Sequence, residues 1–166
     1  PEDRVVSTNT FSKSWLMTGW RLGWMVAPQA LVPDLAKLLE YNTSCAPGFI
    51  QRAGVVAVTE GDAVIAHTVD RLRRARDFLH ARLLRIPGIE AAPAPGAMYA
   101  FFRVGGVADS LAFCKRLVAD AGLGLAPGIA FGPEGEGFVR WCFASSEARL
   151  ADGIDRLQRY LTRAGP

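Results

Sequence analysis

A chain of 166 residues, half of them hydrophobic and 21% charged, has the balance of a protein that buries a core, which argues against disorder. A net charge of +3 is too mild to mark a nucleic-acid binder, and the densest basic run, Arg71 to Arg76, sits in a helical pattern where it reads as a solvated face. The longest apolar stretch, "AGVVAV", is too short to span a bilayer, and the first residues lack the basic and apolar regions of a signal peptide, so the reading is cytoplasmic with no membrane partner.

In chain order, "RVVST" from Arg4 to Thr8 predicts a strand; its opening three residues from a start without methionine reads as a fragment or a proteolysed product. A loop from Asn9 to Gly19 leads to a second strand, "RLGWMVAP", stopped by Pro28. The spacing of Leu31, Leu35, Leu38 and Leu39 predicts a helix from Gln29 to about Tyr41, broken by "SCAPG". Helices are expected over Phe49 to Thr59 and from about Asp62 to Arg85. A short strand and then "AMYAFFRV" follow, and a helix from about Asp109 to Ala121. The Gly- and Pro-rich "GLGLAPGIAFGPEGEG" leads to the strand "FVRWCFA". Ser145-Ser146-Glu147 opens the last helix, "ARLADGIDRLQRYL". From Ile89 onward the order β-β-α-β-α is that of a small α+β domain.

Three residues stand out for their chemistry. Lys13 lies in a loop at a strand end, among the hydroxyls of Thr10, Ser12 and Ser14 and the apolar side chains of Phe11, Trp15 and Leu16. A solvated surface lysine is the ordinary reading, but a lysine pressed against apolar surface loses hydration of its ammonium form and becomes an amine nucleophile. Arg21, between Trp20 and Leu22, reads as an arginine in an apolar strand. Its fork of donors suits a phosphate or carboxylate, with Thr10 and Ser12 completing an anion cup; a structural ion pair is the alternative. Arg140 repeats the situation: Phe138, Arg140 and Cys142 share one face of a strand and Val139, Trp141 and Phe143 the other, so Arg140 wants an anion, from the protein or from a ligand. His67 and His80 are too far apart for a metal pair. Cys45, Cys114 and Cys142 form neither a zinc pattern nor a disulfide framework, and the tyrosines and tryptophans read mainly as core.

"SKSWLMTGWRLGW" closely resembles the cofactor-lysine segment of class I and II aminotransferases, the fold-type-I enzymes that use pyridoxal phosphate. In that family a Thr or Ser three residues before the lysine and an arginine eight after it complete one site, and Thr10, Lys13 and Arg21 match. The resemblance runs along the chain: "NTSCAPGFIQRAG" is similar to the family's helix break and next helix, "PGAMYAFFRV" to its "SGAFY" strand, departing at Met98, and "FVRWCFASSEARLADGIDRL" to the strand and helix with the substrate-carboxylate arginine, here Arg140. It implies an α/β fold, with residues 1–65 a C-terminal remnant of the large domain and 66–166 a bridging helix and small α+β domain.

The resemblance further implies that Lys13 binds pyridoxal 5′-phosphate covalently and moves the proton, that Thr10, Ser12 and Arg21 hold its phosphate, and that Arg140 grips the substrate carboxylate. The expected protein is an aspartate aminotransferase-like homodimer of amino-acid metabolism, acting on an amino acid and a 2-keto acid. Family members carry a Gly-rich loop, a stacking aromatic residue, an Asn, an Asp and a Tyr upstream of the lysine, so the chain is expected to be a C-terminal fragment with no useful activity alone. The other readings are a β-lyase or decarboxylase on the same scaffold, the effector-sensing domain of a transcription regulator, and an α+β interaction module.

Overall fold

The computed structural model describes residues 4–164, and the chain divides into two compact units between Thr68 and Val69. The first unit contains a two-stranded antiparallel sheet, β1 (Ser7–Thr10) and β2 (Gly23–Val26), and the helices α1 (Val32–Thr43) and α2 (Gly48–Glu60). Register pairs Ser7 with Val26 and Thr10 with Gly23. The expected strand over Arg4 to Thr8 is therefore displaced toward the loop. Val5 and Val6 have the β-branched shape of strand residues, but β2 pairs with the residues after them. Gly23 explains how closely the strands approach, since a Cβ there would overlap the Asn9 carbonyl.

Arg21 is not in a strand. It ends a 3₁₀ turn, Thr18–Trp20, in the left-handed conformation with φ 53°, and β2 begins two residues later. The core of this unit is small: Phe11 and Met17 are buried, and Phe11 and Leu22 approach α2 at Gly54, where a Cβ would come within 2.5 Å of Leu22 Cδ2. Trp20, Trp24, Val26, Leu38 and Val55 are exposed, and Tyr41, expected in the core, is 82% exposed.

The helix α3 (Asp62–Leu83) spans the division point. The basic run on it is solvated as expected at Arg71, Arg73 and Arg74, the last two pairing with Asp70 at 3.8 and 2.9 Å, surface contacts worth at most about 1 kcal/mol each, whereas Arg76 is half-buried and donates to the Ala94 carbonyl at 3.3 Å. The second unit contains a four-stranded antiparallel sheet in the order β3-β4-β6-β5, from β3 (Ile89–Ala91), β4 (Tyr99–Val104), β5 (Ala126–Pro127) and β6 (Phe138–Cys142). Of these, β5 alone is not expected from the sequence; it is two residues long, contains a proline and lies at an edge, where the missing N–H breaks no ladder.

The helices α4 (Ser110–Ala121) and α5 (Glu147–Ala164), with the later turns of α3, bury one face of this sheet. Phe102, Phe113, Leu79, Leu83, Leu117, Val139 and Leu157 are fully buried there. Asp109, expected at the start of this helix, caps α4 by accepting the Ala112 N–H at 2.8 Å. A glycine inside α5, Gly153, weakens the helix on propensity alone, yet a Cβ there would sit 2.7 Å from the Trp141 ring, so the glycine is what lets the helix lie on the sheet. Among the described residues no helix is long and apolar enough to cross a membrane.

Candidate functional site

In the first unit the chain turns sharply after β1. Trp15 and Met17 N–H both donate to the Phe11 carbonyl, at 3.3 and 3.4 Å, and Leu16 N–H donates to the Lys13 carbonyl at 3.4 Å. The turn uses two non-glycine residues at positive φ, Leu16 (56°) and Arg21 (53°), each costing about 1–3 kcal/mol, a strain that collects at functional sites. Phe11 anchors it, with its ring 4.8 Å from that of Trp15 and 5.1 Å from that of Trp24. Trp15 also packs on Gly61, and its buried indole N–H meets no acceptor among the described residues.

This anchoring places the polar groups on the outside of the turn. The Thr10 hydroxyl lies 2.9 Å from Ser12 Oγ and 3.4 Å from the Leu22 carbonyl, either of which takes its proton, and it accepts the Ser12 N–H at 3.1 Å. Phe11 N–H donates to the Leu22 carbonyl at 3.1 Å, which continues the register past Thr10–Gly23 and brings Arg21 to the same end of the strand pair as Ser12. The Arg21 guanidinium donates to the Thr18 carbonyl at 2.8 Å. Neither Arg21 nor Lys13 pairs with a carboxylate among the described residues.

Lys13 and Arg21 are exposed. Of the side chains expected to wall Lys13, Phe11 and Trp15 turn to each other and to Trp24. Arg21, expected in an apolar strand, owes its place to the turn. Two hydroxyls, one guanidinium and one amine, with no acid among them, are donors of the kind that bind a phosphate dianion, so the chemistry of these residues fits a phosphorylated cofactor.

Arg140 lies in the second unit, at the centre of β6, opposite Phe101 on β4 and Ala126 on β5. The alternation expected for this strand is observed: Val139, Trp141 and Phe143 are buried, while Phe138, Arg140 and Cys142 occupy the outer face. Arg140 has no structural acid as its partner among the described residues. Instead its guanidinium carbon lies 4.4 Å from the centroid of the Tyr99 ring and 4.2 Å from that of Phe131. Phe131 carries no sequence signal for this place, because it sits in a Gly- and Pro-rich segment with no periodicity. Tyr99, expected in the core, instead lies on the Arg140 face; its alternation with Ala100 and Phe102 is the signal for that placement.

The segment carrying Phe131 is two successive 3₁₀ turns, Gly128–Phe131 and Pro133–Gly135. Glu136 ties it down: its Oε1 accepts the N–H of Ser110 at 2.6 Å and of Gly137 at 3.0 Å, and the hydrogen bonds to Ser110 and Gly137 hold its carboxyl below the ordinary carboxylate value. Cys114 is buried in the core of the same unit, and burial pushes its thiol up to about 11, whereas Cys45 and Cys142 are exposed. His80 lies 3.2 Å from the Ala91 carbonyl.

Residues 1–157 match the family model for aminotransferase class I and II. A probable N-acetyl-LL-diaminopimelate aminotransferase of Bacillus subtilis is 36% identical over 164 residues, covering 97% of this chain and 41% of that protein. An aspartate aminotransferase of Musicola paradisiaca is 33% identical over 162 residues, covering 96% and 40%. Among solved structures, that of an aspartate aminotransferase from Rhizobium meliloti superposes with a TM-score of 0.91 at 30% identity, covering 97% of this chain and 42% of that one. The chain thus spans about two-fifths of the length of the curated relatives it matches.

Proposed function

The chain belongs to the class I and II aminotransferases, and from that premise we propose that it is the C-terminal portion of an enzyme moving an amino group between an amino acid and a 2-keto acid. Pyridoxal 5′-phosphate is the cofactor of this family. The observation that carries the proposal is the acid-free set of Thr10, Ser12 and Arg21 at one end of the strand pair, with Lys13 in the turn that joins them.

In this reading Thr10 and Ser12 hydroxyls and the Arg21 guanidinium hold the cofactor phosphate, and Lys13 Nζ binds the cofactor covalently. When bound, the cofactor supplies an electron sink for the pair left on the substrate α-carbon. Once freed by the substrate amine, Lys13 Nζ takes the proton from the substrate α-carbon and delivers it to the cofactor's C4′ atom instead of back to that carbon, working as a positioned general base and then acid. Arg140 grips the substrate carboxylate through its in-plane N–H groups, which orients the bond to be broken. The reading includes a large-domain remnant over 1–65, a bridging helix and small domain over 66–166, a homodimer, and a cytoplasmic setting without nucleic-acid or membrane partners. The domain division and the homodimer rest on the family resemblance, the setting and partners on composition and charge.

The 166-residue chain by itself is proposed to lack sustained turnover, since it spans about two-fifths of its relatives' length and the family's ring-activating Asp and Tyr belong to the remainder. The test is to assay the chain and the complete protein that carries it with pyridoxal 5′-phosphate, an amino-acid panel and 2-oxoglutarate. Keto acid with matching glutamate from the complete protein is expected. Ammonia and pyruvate in their place would identify a lyase, and sustained keto-acid formation by the chain alone would refute its proposed inactivity.

A further inference from the structure

The outer face of the second unit's sheet carries more than an arginine awaiting an anion. Tyr99 is half-buried and Phe131 is 49% exposed, and both put ring faces, not edges, against the Arg140 guanidinium, at 4.4 and 4.2 Å. A guanidinium is planar, with two faces and a rim of five N–H donors. Two aromatic rings lie this close to its central carbon, and among the described residues no carboxylate pairs with its N–H groups.

Both walls are held from behind. Tyr99 belongs to the central β4–β6 ladder, opposite Cys142. Phe131 ends a 3₁₀ turn whose backbone is locked: a Cβ on Gly128 would overlap the carbonyls of Gly135 and Phe138, and a Cβ on Gly135 would overlap the carbonyl of Gly128. The Ile129 N–H donates to Ser110 Oγ at 3.2 Å, and Glu136 fastens the far end of the segment to Ser110 and Gly137. Phe101 closes the array, its ring 6.0 Å from that of Phe131 and stacked at 5.0 Å on that of Phe138.

From this geometry we infer that Tyr99 and Phe131 are positioning residues for Arg140: the two rings clamp the guanidinium in place, so that its unpaired N–H groups are held ready for a carboxylate. The inference rests on the proposed carboxylate role of Arg140. An unclamped arginine loses side-chain freedom each time it binds, whereas a clamped one has already given it up, so the clamp appears as affinity. Attraction between cation and ring contributes in addition, because both ring faces present negative charge to the guanidinium.

The test uses the full 166-residue chain labelled with ¹⁵N, the Arg140 Nε–H resonance assigned by its loss in Arg140→Lys, and 3-phenylpropionate as the carboxylate probe. In the wild-type chain that resonance is expected at high field, from the ring currents of the two flanking rings, and to move on titration. Phe131→Leu and Tyr99→Leu keep apolar bulk but remove a ring face. Each is expected to lose much of the high-field displacement and to weaken carboxylate binding about five- to thirty-fold, while Phe131→Tyr retains both. A merely space-filling role would let leucine serve as well as phenylalanine. Unchanged affinity in both leucine variants, with carboxylate still titrating Arg140, would overturn the clamp and leave the carboxylate role standing. Failure of carboxylate to move Arg140 in the wild-type chain would overturn both.

Discussion

Replacing Gly128 by alanine tests the locked turn behind Phe131 directly. The new Cβ would meet backbone on two sides, the carbonyls of Gly135 and Phe138, with Gly135 C at 2.9 Å, so no rotamer relieves it. Gly128 is not at positive φ, hence alanine is acceptable conformationally and the cost is steric. Separating the backbones strains the Pro127–Val139 pairing and pulls the Ile129 N–H off Ser110 Oγ. Overpacking costs about 1–3 kcal/mol and an unmade buried hydrogen bond about as much, offset by about 0.4–1 kcal/mol from the stiffer unfolded chain. The net expectation is a loss of about 2–4 kcal/mol. Native-state hydrogen exchange at Val139 and Leu157, both fully buried, isolates the second unit. Exchange there should accelerate about thirty- to nine-hundred-fold. Gly124→Ala, where nothing lies within 4 Å of the new atom, is the control and should be neutral. Exchange in Gly128→Ala within threefold of wild type would show that the turn is not locked.

Glu136 has a lowered pKa, so its contribution to stability is complete above its ordinary value of 4.5 and is lost as pH falls through the depressed folded value. Acid unfolding of Glu136→Gln should therefore lack part of the wild-type decline below pH 4.5; parallel curves would contradict this. With its thiol at about 11 and buried, Cys114 should resist alkylation at neutral pH until the second unit opens, while Cys45 and Cys142 react at once, as counted by mass spectrometry. Trp15→Phe removes an indole N–H that has no acceptor among the described residues, worth about 1–3 kcal/mol, and should offset most of the packing lost; chemical denaturation showing a loss well above about 3 kcal/mol would indicate a partner for that N–H. Arg21→Gly relieves the strain at φ 53° but loses the hydrogen bond to the Thr18 carbonyl and frees the unfolded chain, so thermal stability should hold or rise slightly while pyridoxal 5′-phosphate binding, followed by tryptophan fluorescence, weakens.

Periodicity makes the second unit legible. The alternation of β6 sorts Val139, Trp141 and Phe143 onto one face, which proves to be the buried one, and the helix starts expected near Asp109 and at Ser145-Ser146-Glu147 are observed. The first unit is less legible because its two strands are set by pairing: Val5 and Val6 have strand propensity but lie outside the paired register, and Arg21 adopts a left-handed conformation that no pattern of apolar residues announces. The lysine segment stands out as a motif, yet its surroundings do not follow from composition, since Phe11 and Trp15 pack on Trp24 and not on Lys13. The walls of Arg140 are hidden for another reason. Phe131 reaches it from a turn held by the mutual contact of Gly128 and Gly135, a backbone fit that no local signal records.

The central claim, that Lys13 is the cofactor lysine, is tested most directly by reductive trapping. The protein is incubated with pyridoxal 5′-phosphate, reduced with borohydride, digested and mapped by mass spectrometry. The pyridoxyl group is expected on Lys13, with Lys37 and Lys115 far less modified, and Thr10→Ala and Arg21→Ala are expected to reduce the labelling at Lys13 without changing it at the other two. Equal labelling of all three lysines, or labelling at Lys13 that ignores Thr10 and Arg21, would contradict the claim.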